Sequence, residues 1–146
     1  MLTPRIEINL KKISHNATTL KGLYGSKGID IIGVTKVVCG NLAIAKILLK
    51  SGIKTLADSR IENIQRMIDA GIDAEFLLLR SPYFSQAETV VRYADISLNS
   101  EIVVIKELSK FAVEQNIIHK IILMVELGDL REGLMPSDLD NAIEQI

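Results

Sequence analysis

Apolar and polar positions along the chain change their spacing at short intervals, which predicts strands alternating with helices. One run, from Ile29 to Val38, is almost continuously apolar and mostly β-branched, and Lys36 lies near its far end. Continuous apolar character of this kind predicts a strand covered on both faces, as in a parallel sheet. Lys36 must either reach the rim of that sheet or have its charge compensated, because burying an unpaired ammonium is costly.

Two interpretations of Lys36 follow from this position. A lysine can extend its aliphatic stem along the strand and keep its ammonium in solvent at the rim. In enzymes, a lysine at such a place also serves as an amine nucleophile or a Schiff-base partner. The apolar pattern alone leaves both interpretations open.

The segments before and just after this run have their own spacing. Alternation over Arg5–Leu10 predicts a short leading strand with one covered face. Helical spacing follows from Lys11 to about Leu23 and ends in the turn residues 24–28. Asn41 is expected to cap the start of a second helix, and Gly52 to cap its end.

The same pattern repeats along the rest of the chain. Further strands are predicted at Lys54–Asp58, Glu75–Leu79, Asp95–Leu98 and Lys120–Leu127. Helices are predicted at Ile61–Ala70 (closed by Gly71), Ser85–Tyr93 and Glu101–Gln115, with Ser100 as the cap of the last. A polar loop from Gly128 to Gly133 follows, and Ser137 is expected to open a final helix.

Strands alternating with helices predict an α/β fold with a parallel sheet. The strands recur at intervals of roughly 20–25 residues, the spacing of a (β/α)₈ TIM-barrel unit. About five such units after a leading strand and helix make a partial barrel. We therefore expect residues 1–146 to be the N-terminal portion of a TIM-barrel domain, with the rest of the barrel and any C-terminal β-domain absent.

Composition narrows the class of protein. The 146 residues are 48% apolar and 24% charged, which favours a real core over disorder. A net charge of −1 gives no electrostatic case for nucleic acid or an anionic membrane. No apolar run approaches membrane-spanning length. A single cysteine excludes an internal disulfide and suits a reducing compartment, so we expect a soluble cytoplasmic protein.

Three reactive side-chain positions receive structural interpretations. Cys39 has no catalytic histidine nearby in the sequence, so it is interpreted as a buried structural thiol. His15 and His119 have no partner at metal-ligand spacing, so no metal site is expected, and both are interpreted as surface or hydrogen-bonded histidines.

Three segments, in this order along the chain, together resemble the alanine racemase superfamily, whose enzymes carry pyridoxal phosphate on a (β/α)₈ barrel. They are Ile6-Glu7-Ile8-Asn9-Leu10 with His15-Asn16, then Val34-Thr35-Lys36, and then the loop from Glu126 to Gly133. Ala57-Asp58-Ser59-Arg60 and that loop are most similar to the alanine/ornithine racemase-like branch.

The resemblance implies roles for three residues. Lys36 would hold pyridoxal phosphate as an aldimine and then act as one of two racemisation bases. Arg131 would contact the phenolic oxygen of the cofactor and the substrate carboxylate, which suits its planar guanidinium. Leu79 would line the cofactor pocket.

Structural alternatives accompany these roles. Arg131 could pair with Asp129 or Glu132 in its loop, and Leu79 could be an ordinary core leucine. The strand-end residues 58–60 could bind substrate or polar cofactor groups, or cap the next helix, and the capping interpretation is preferred.

One departure from the family pattern concerns the cofactor phosphate. The racemases often place a tyrosine four residues after the lysine, where this chain has Gly40. Phosphate would then be held by later loops and helix N-termini. We expect the 146 residues alone to be inactive.

The expected function of the full protein is pyridoxal-phosphate-dependent interconversion of L- and D-amino acids, with an amino acid as its small-molecule substrate; the sequence does not identify which amino acid. The alternative is a non-catalytic pyridoxal-phosphate-binding protein of the same barrel family. Open strand edges and uncovered apolar faces invite association, so we expect a homo-oligomer.

Overall fold

A computed structural model describes residues 3–146 and contains one sheet of five parallel strands. The strands are β1 (Ile32–Val34), β2 (Thr55–Asp58), β3 (Glu75–Leu78), β4 (Ile96–Asn99) and β5 (Lys120–Leu123). Each strand pairs in parallel with the strand that follows it in the chain. The sheet order is therefore the same as the chain order.

A helix precedes the sheet, helices connect the strands, and another follows β5. They are α1 (Leu10–Gly25), α2 (Leu42–Lys50), α3 (Ile61–Asp69), α4 (Ala87–Tyr93), α5 (Ile102–Glu114) and α6 (Leu139–Gln145). Short 3-10 turns cover Lys36–Val38, Phe84–Gln86 and Pro136–Asp138. The fold is a partial (β/α)₈ barrel, as the spacing of the strands predicts. Within residues 3–146 no helix combines the length and apolar character needed to cross a membrane.

The core lies between one face of the sheet and the helices. It joins strand residues such as Leu56, Phe76 and Leu78 to helix residues such as Ile64, Met67, Val90 and Leu108. Full burial of each such side chain stabilises the fold by about 1.5–3 kcal/mol. The opposite face is open at the two edge strands, where Ile32, Val34 and Ile122 are 42%, 44% and 45% exposed, whereas Leu77 on the central strand is 3% exposed.

The predicted helix boundaries at α2 are confirmed. The side-chain oxygen of Asn41 accepts hydrogen bonds from the backbone nitrogens of Ala43 (3.0 Å) and Ile44 (3.2 Å). Gly52 follows the end of this helix with a φ of +87°, a left-handed conformation that glycine adopts without steric cost.

The predicted leading strand at Arg5–Leu10 is wrong. Residues 5–9 have no regular structure, and Ile6 is 91% exposed. A strand needs a neighbour for its backbone hydrogen bonds, and no described strand lies beside this segment. Asn9 instead caps α1 by accepting a hydrogen bond of 3.1 Å from the backbone nitrogen of Lys12.

Two other strands are shorter than the apolar pattern indicates. Only Ile32–Val34 of the run from residue 29 to residue 38 is a strand, because Thr35 turns the backbone into the 3-10 turn that begins at Lys36. The strand predicted to reach Leu127 ends at Leu123, because the following segment folds back and Leu134 pairs with Val125.

Ser100 does not cap α5. Glu101 occupies the cap position, without a side-chain hydrogen bond to the helix. The Ser100 hydroxyl lies 3.1 Å from the Ser81 hydroxyl, so it joins the loops after β3 and β4 instead.

Candidate active site

The carboxyl ends of the five strands lie along one rim of the sheet, and Lys36 stands at the first of them. The backbone nitrogen of Thr35 donates to Ala57 O at 2.8 Å, which extends the β1–β2 ladder one residue past β1. Lys36 comes next, is exposed, and begins the 3-10 turn Lys36–Val38. Its amine is thus available at the end of a barrel where ligands bind.

Leu79 lies at the rim of the central strand. Its backbone nitrogen donates to Asp58 O at 2.9 Å, directly past the end of β3, and its side chain is half-buried. Leu78 packs into the helix-side core. Since successive strand residues point to opposite faces, Leu79 belongs to the open face of the sheet.

Arg131 is presented by a loop that follows β5. Leu134 returns to the strand end, where its nitrogen donates to Met124 O at 2.8 Å and its carbonyl accepts from the nitrogen of Glu126 at 2.8 Å. The segment from Leu127 to Gly133 is therefore a closed loop. Arg131 is exposed and forms no ion pair with a described residue, so the alternative pairing with Asp129 or Glu132 is not observed.

The Glu126 carboxylate holds this loop from inside. Glu126 is only 8% exposed, and backbone amides of the loop converge on it. The amides of Leu130 and Gly128 donate hydrogen bonds to the carboxylate and lower the pKa of Glu126, since they favour its charged form. An ionised Glu126 thus organises the backbone on which Arg131 stands.

The three residues with predicted roles share the rim but not a contact. Lys36 and Arg131 follow the two edge strands of the sheet, and Leu79 follows the strand midway between them. No hydrogen bond or ion pair within residues 3–146 joins Lys36 to Arg131.

Asp58 does not project into the mouth of the barrel. It is fully buried, and its carboxylate accepts hydrogen bonds from Arg60 N (3.1 Å), Asn63 Nδ2 (2.9 Å) and Thr35 Oγ1 (2.8 Å). The preferred interpretation, that residues 58–60 cap the next helix, is met only by Arg60, which occupies the cap position without a side-chain hydrogen bond. The Asp58 carboxylate accepts no hydrogen bond from a backbone amide inside α3. Arg60 is exposed beside a cleft that Arg66 and Ser59 also line.

Sequence reasoning missed the polar partners of Asp58. In the sequence, Thr35 looks like one more β-branched strand residue immediately before the candidate lysine. Its hydroxyl contacts Asp58 only because β1 pairs with β2. Asn63 reads as an ordinary helix residue for the same reason. The one available signal was a carboxylate at the end of an apolar strand, which needs donors if it is buried.

Cys39 corrects another expectation. It is exposed rather than buried, because it ends the 3-10 turn in a left-handed conformation with a φ of +51°. His15 is exposed. His119 is hydrogen-bonded to Ser97 Oγ (2.8 Å) and Ala94 O (2.9 Å), as the structural interpretation predicts. Among the described residues no group of three or more His, Cys, Asp or Glu side chains could hold a metal.

The strand order and the rim residues define the class of this protein: a barrel-type α/β protein with a lysine after its first parallel strand and an arginine after its fifth. Residues 8–146 match the family model described as "Alanine racemase, N-terminal domain". The chain belongs to that family, as the three sequence segments indicate.

Two curated relatives are racemases. The chain is 40% identical over 146 residues to a lysine racemase of Thermotoga maritima. The aligned region covers 100% of this chain and 40% of that protein. It is 41% identical over 144 residues to an ornithine racemase of Acetoanaerobium sticklandii. That aligned region covers 98% of this chain and 40% of the relative. The chain thus spans about 40% of the length of the curated relatives it matches.

A solved structure shares the fold. An alanine racemase from Bartonella henselae with covalently bound pyridoxal phosphate superposes with a TM-score of 0.73 and 22% identity. The match covers 94% of this chain and 39% of that one. The partial barrel described above is therefore a racemase-type barrel fold.

Proposed function

We propose that this chain is the N-terminal barrel portion of a pyridoxal-phosphate-dependent amino-acid racemase. The observation that carries the proposal is the place of Lys36, exposed and directly beyond the first parallel strand at the carboxyl rim. Membership in the alanine racemase N-terminal-domain family and the names of the two racemase relatives support it.

The side chains at the rim fit the proposed cofactor chemically. Pyridoxal phosphate offers an aldehyde, which a primary amine such as that of Lys36 can attack. It also carries anionic oxygens, which suit a guanidinium without a carboxylate partner, such as that of Arg131. Leu79 supplies an apolar surface between these two charged residues.

Each residue then has a distinct task. Bound pyridoxal phosphate withdraws electrons from the bond to the α-hydrogen of an amino acid and so makes that proton removable. The Lys36 amine takes the proton from one face of the α-carbon, or returns it there. The planar guanidinium of Arg131 holds the substrate carboxylate.

The proposed substrates are amino acids with a second amine, such as lysine and ornithine. The named activities of the two relatives support this class. Asp129 and Glu132, both acidic, line the same surface pocket as Arg131. A guanidinium with carboxylates nearby complements a substrate that has a carboxylate and a distal ammonium.

The test uses the complete protein that contains this chain, incubated with L-lysine, L-ornithine and L-alanine. Chiral chromatography should detect the D-isomers, with lysine or ornithine turned over fastest. Lys36→Ala should abolish both turnover and an absorbance band at about 420 nm that reports cofactor attached to an amine. Lys54→Ala, at an exposed lysine before the opposite end of β2, is the matched control and should keep both.

Other outcomes separate the alternatives. Cofactor binding through Lys36 without racemisation of any amino acid would contradict the enzyme and support a non-catalytic cofactor-binding protein. A band that persists in Lys36→Ala would contradict the assignment of the lysine. The 146 residues alone are expected to show no racemisation.

A further inference from the structure

The turn that carries Lys36 has no apolar anchor. None of the three residues of the 3-10 turn is buried, and Val37 is 82% exposed. The backbone nitrogens of Val38 and Gly40 donate to Thr35 O at 3.1 and 3.2 Å, so the turn folds over the carbonyl of Thr35. Hydrogen bonds fix the two ends of this turn, while Val38 is its only half-buried side chain.

The first end is fixed by a buried threonine. Thr35 is fully buried, and its hydroxyl lies 2.8 Å from Asp58 Oδ2 and 3.2 Å from Ala57 O. A hydroxyl has one proton to donate, and the shorter contact to a carboxylate is the stronger one. The residue before Lys36 is thus joined to the end of the neighbouring strand.

The second end is reached through helix α3. The other oxygen of Asp58 accepts a hydrogen bond of 2.9 Å from Asn63 Nδ2. The amide oxygen of Asn63 accepts one of 3.0 Å from Arg66, and the same Arg66 nitrogen donates to the carbonyl of Cys39. Cys39 is the residue that ends the turn.

These contacts form a closed ring that includes the Lys36 backbone. It runs from Thr35 through Asp58, Asn63 and Arg66 to Cys39, and the backbone of the turn completes it. The ring fits tightly against Gly40, where an added β-carbon would lie 3.1 Å from Asn63 Cβ and 3.3 Å from Arg66 Nη2.

The buried carboxylate of Asp58 in this ring carries a desolvation cost. A fully buried carboxylate held by uncharged donors loses more hydration than a hydrophobic residue of similar size would. Asp58 forms no ion pair with a described residue that could offset this. In some proteins a buried charged group of this kind fixes local geometry at a cost in stability, and we apply that explanation to Asp58.

We propose that Asp58 is a positioning residue for Lys36, acting through Thr35 at one end of the turn and through Asn63 and Arg66 at the other. This inference rests on the proposed function, in which the Lys36 amine must meet an aldehyde at a defined place. The ring sets the direction from which the lysine leaves the rim.

The test compares two threonines that make the same kind of contact. Thr35→Val and Thr55→Val each remove a hydroxyl that donates to a carboxylate on a neighbouring strand at 2.8 Å, to Asp58 and to Glu75 respectively. Only the first lies beside Lys36. Arg66→Gln is the second variant. Because Arg66 is exposed, this change loosens the ring without opening the core. Its control is Arg92→Gln, at an exposed arginine paired with Glu88.

The first readout needs no cofactor. Hydrogen exchange at the amides of Val38, Cys39 and Gly40 should become at least about tenfold faster in Thr35→Val and Arg66→Gln, but not in the controls, when their hydrogen bonds lose support. The second readout is the rate at which Lys36 in the complete protein is labelled by pyridoxal phosphate, trapped with borohydride and located by mass spectrometry. That rate should also fall about tenfold, the scale expected when a supporting hydrogen bond is lost.

The outcomes distinguish this inference from the proposed function. If unaltered protein is labelled at Lys36 and both variants exchange and label at the rates of their controls, the positioning role is wrong and the proposed function stands. If unaltered protein is never labelled at Lys36, the proposed function fails, and the positioning role falls with it. If Thr35→Val does not fold, Arg66→Gln decides the result alone.

Discussion

A β-carbon on Gly133 would lie 2.6 Å from the backbone nitrogen of Glu126. Gly133 also has a φ of +135°, a conformation that residues with a side chain rarely adopt. The loop that presents Arg131 therefore closes only because this position has no side chain.

Gly133→Ala is expected to open the loop, because the new methyl group would overlap backbone atoms that cannot move independently. Gly128→Ala is the matched control: it also has a positive φ, +119°, but no atom lies within 4 Å of the added carbon. Gly133→Ala should cost about 1–3 kcal/mol more than the control. Urea unfolding measures the difference, and equal values would show that the steric contact is unimportant.

Acid should release the same loop. Hydrogen bonds from backbone amides lower the pKa of Glu126, so the folded loop binds fewer protons than the unfolded chain between the folded pKa and about pH 4.3. The stability that the Glu126 carboxylate contributes is present above that pH interval. It is lost as the pH falls through the pKa that Glu126 has in the folded chain.

NMR can follow this titration at single residues. The amide protons of Gly128 and Leu130 should shift with a midpoint below about pH 4.3. The shift should disappear in Glu126→Gln and persist in Glu132→Gln, which alters an exposed carboxylate of the same loop. A midpoint at or above the ordinary glutamate value would contradict the structure.

His119 should make stability depend on pH near neutrality. Burial lowers the pKa of His119 and outweighs the opposing effects of Ala94 O and Asp95. The unfolded chain then binds more protons below about pH 6.5, so the free energy of unfolding should fall as the pH decreases through that value.

The two histidines of the chain provide the control. Thermal unfolding between pH 7.5 and 5.5 should lose part of its pH dependence in His119→Asn, whose amide nitrogen can still donate to Ala94 O. His15→Asn, at an exposed position, should keep the full dependence. The interpretation fails if His15→Asn has the larger effect.

The isolated chain should self-associate through the open face of its sheet. That face exposes apolar residues on β1 and β5, whose outer edges pair with no strand of residues 3–146, and both features favour association. Sedimentation velocity should show species larger than a monomer. Ile122→Lys, on the open face, should reduce them, whereas Val103→Lys, on the exposed side of α5, should not. A monodisperse monomer for the unaltered chain would contradict this expectation.

Much of this fold could be predicted from the sequence because its signals are local. Asn41 and Gly52 mark the ends of α2 through their own backbone preferences, and the spacing of the apolar runs locates all five parallel strands. The wrong leading strand shows the limit. Alternation over Arg5–Leu10 describes a segment suited to pairing, but whether it pairs depends on a neighbour that the alternation does not specify.

The candidate site also has a part that the sequence predicts and a part that it does not. Lys36, Leu79 and Arg131 can be placed at strand ends from the sequence, and their roles remain predictions. The ring through Thr35, Asn63 and Arg66 could not be predicted, because it joins residues that meet only after β1 and β2 pair and α3 packs beside them. The exposure of Cys39 was missed because it follows from one left-handed backbone residue.

The order of the sheet has a consequence for how the protein is made. Because each strand pairs with the one synthesised just before it, a new βα unit can dock onto an edge that already exists as it leaves the ribosome. None of the four strand pairs among β1–β5 has to wait for a strand made later than its next neighbour. Assembly can therefore proceed in the direction of translation, with the Lys36 turn anchored as soon as α3 has emerged.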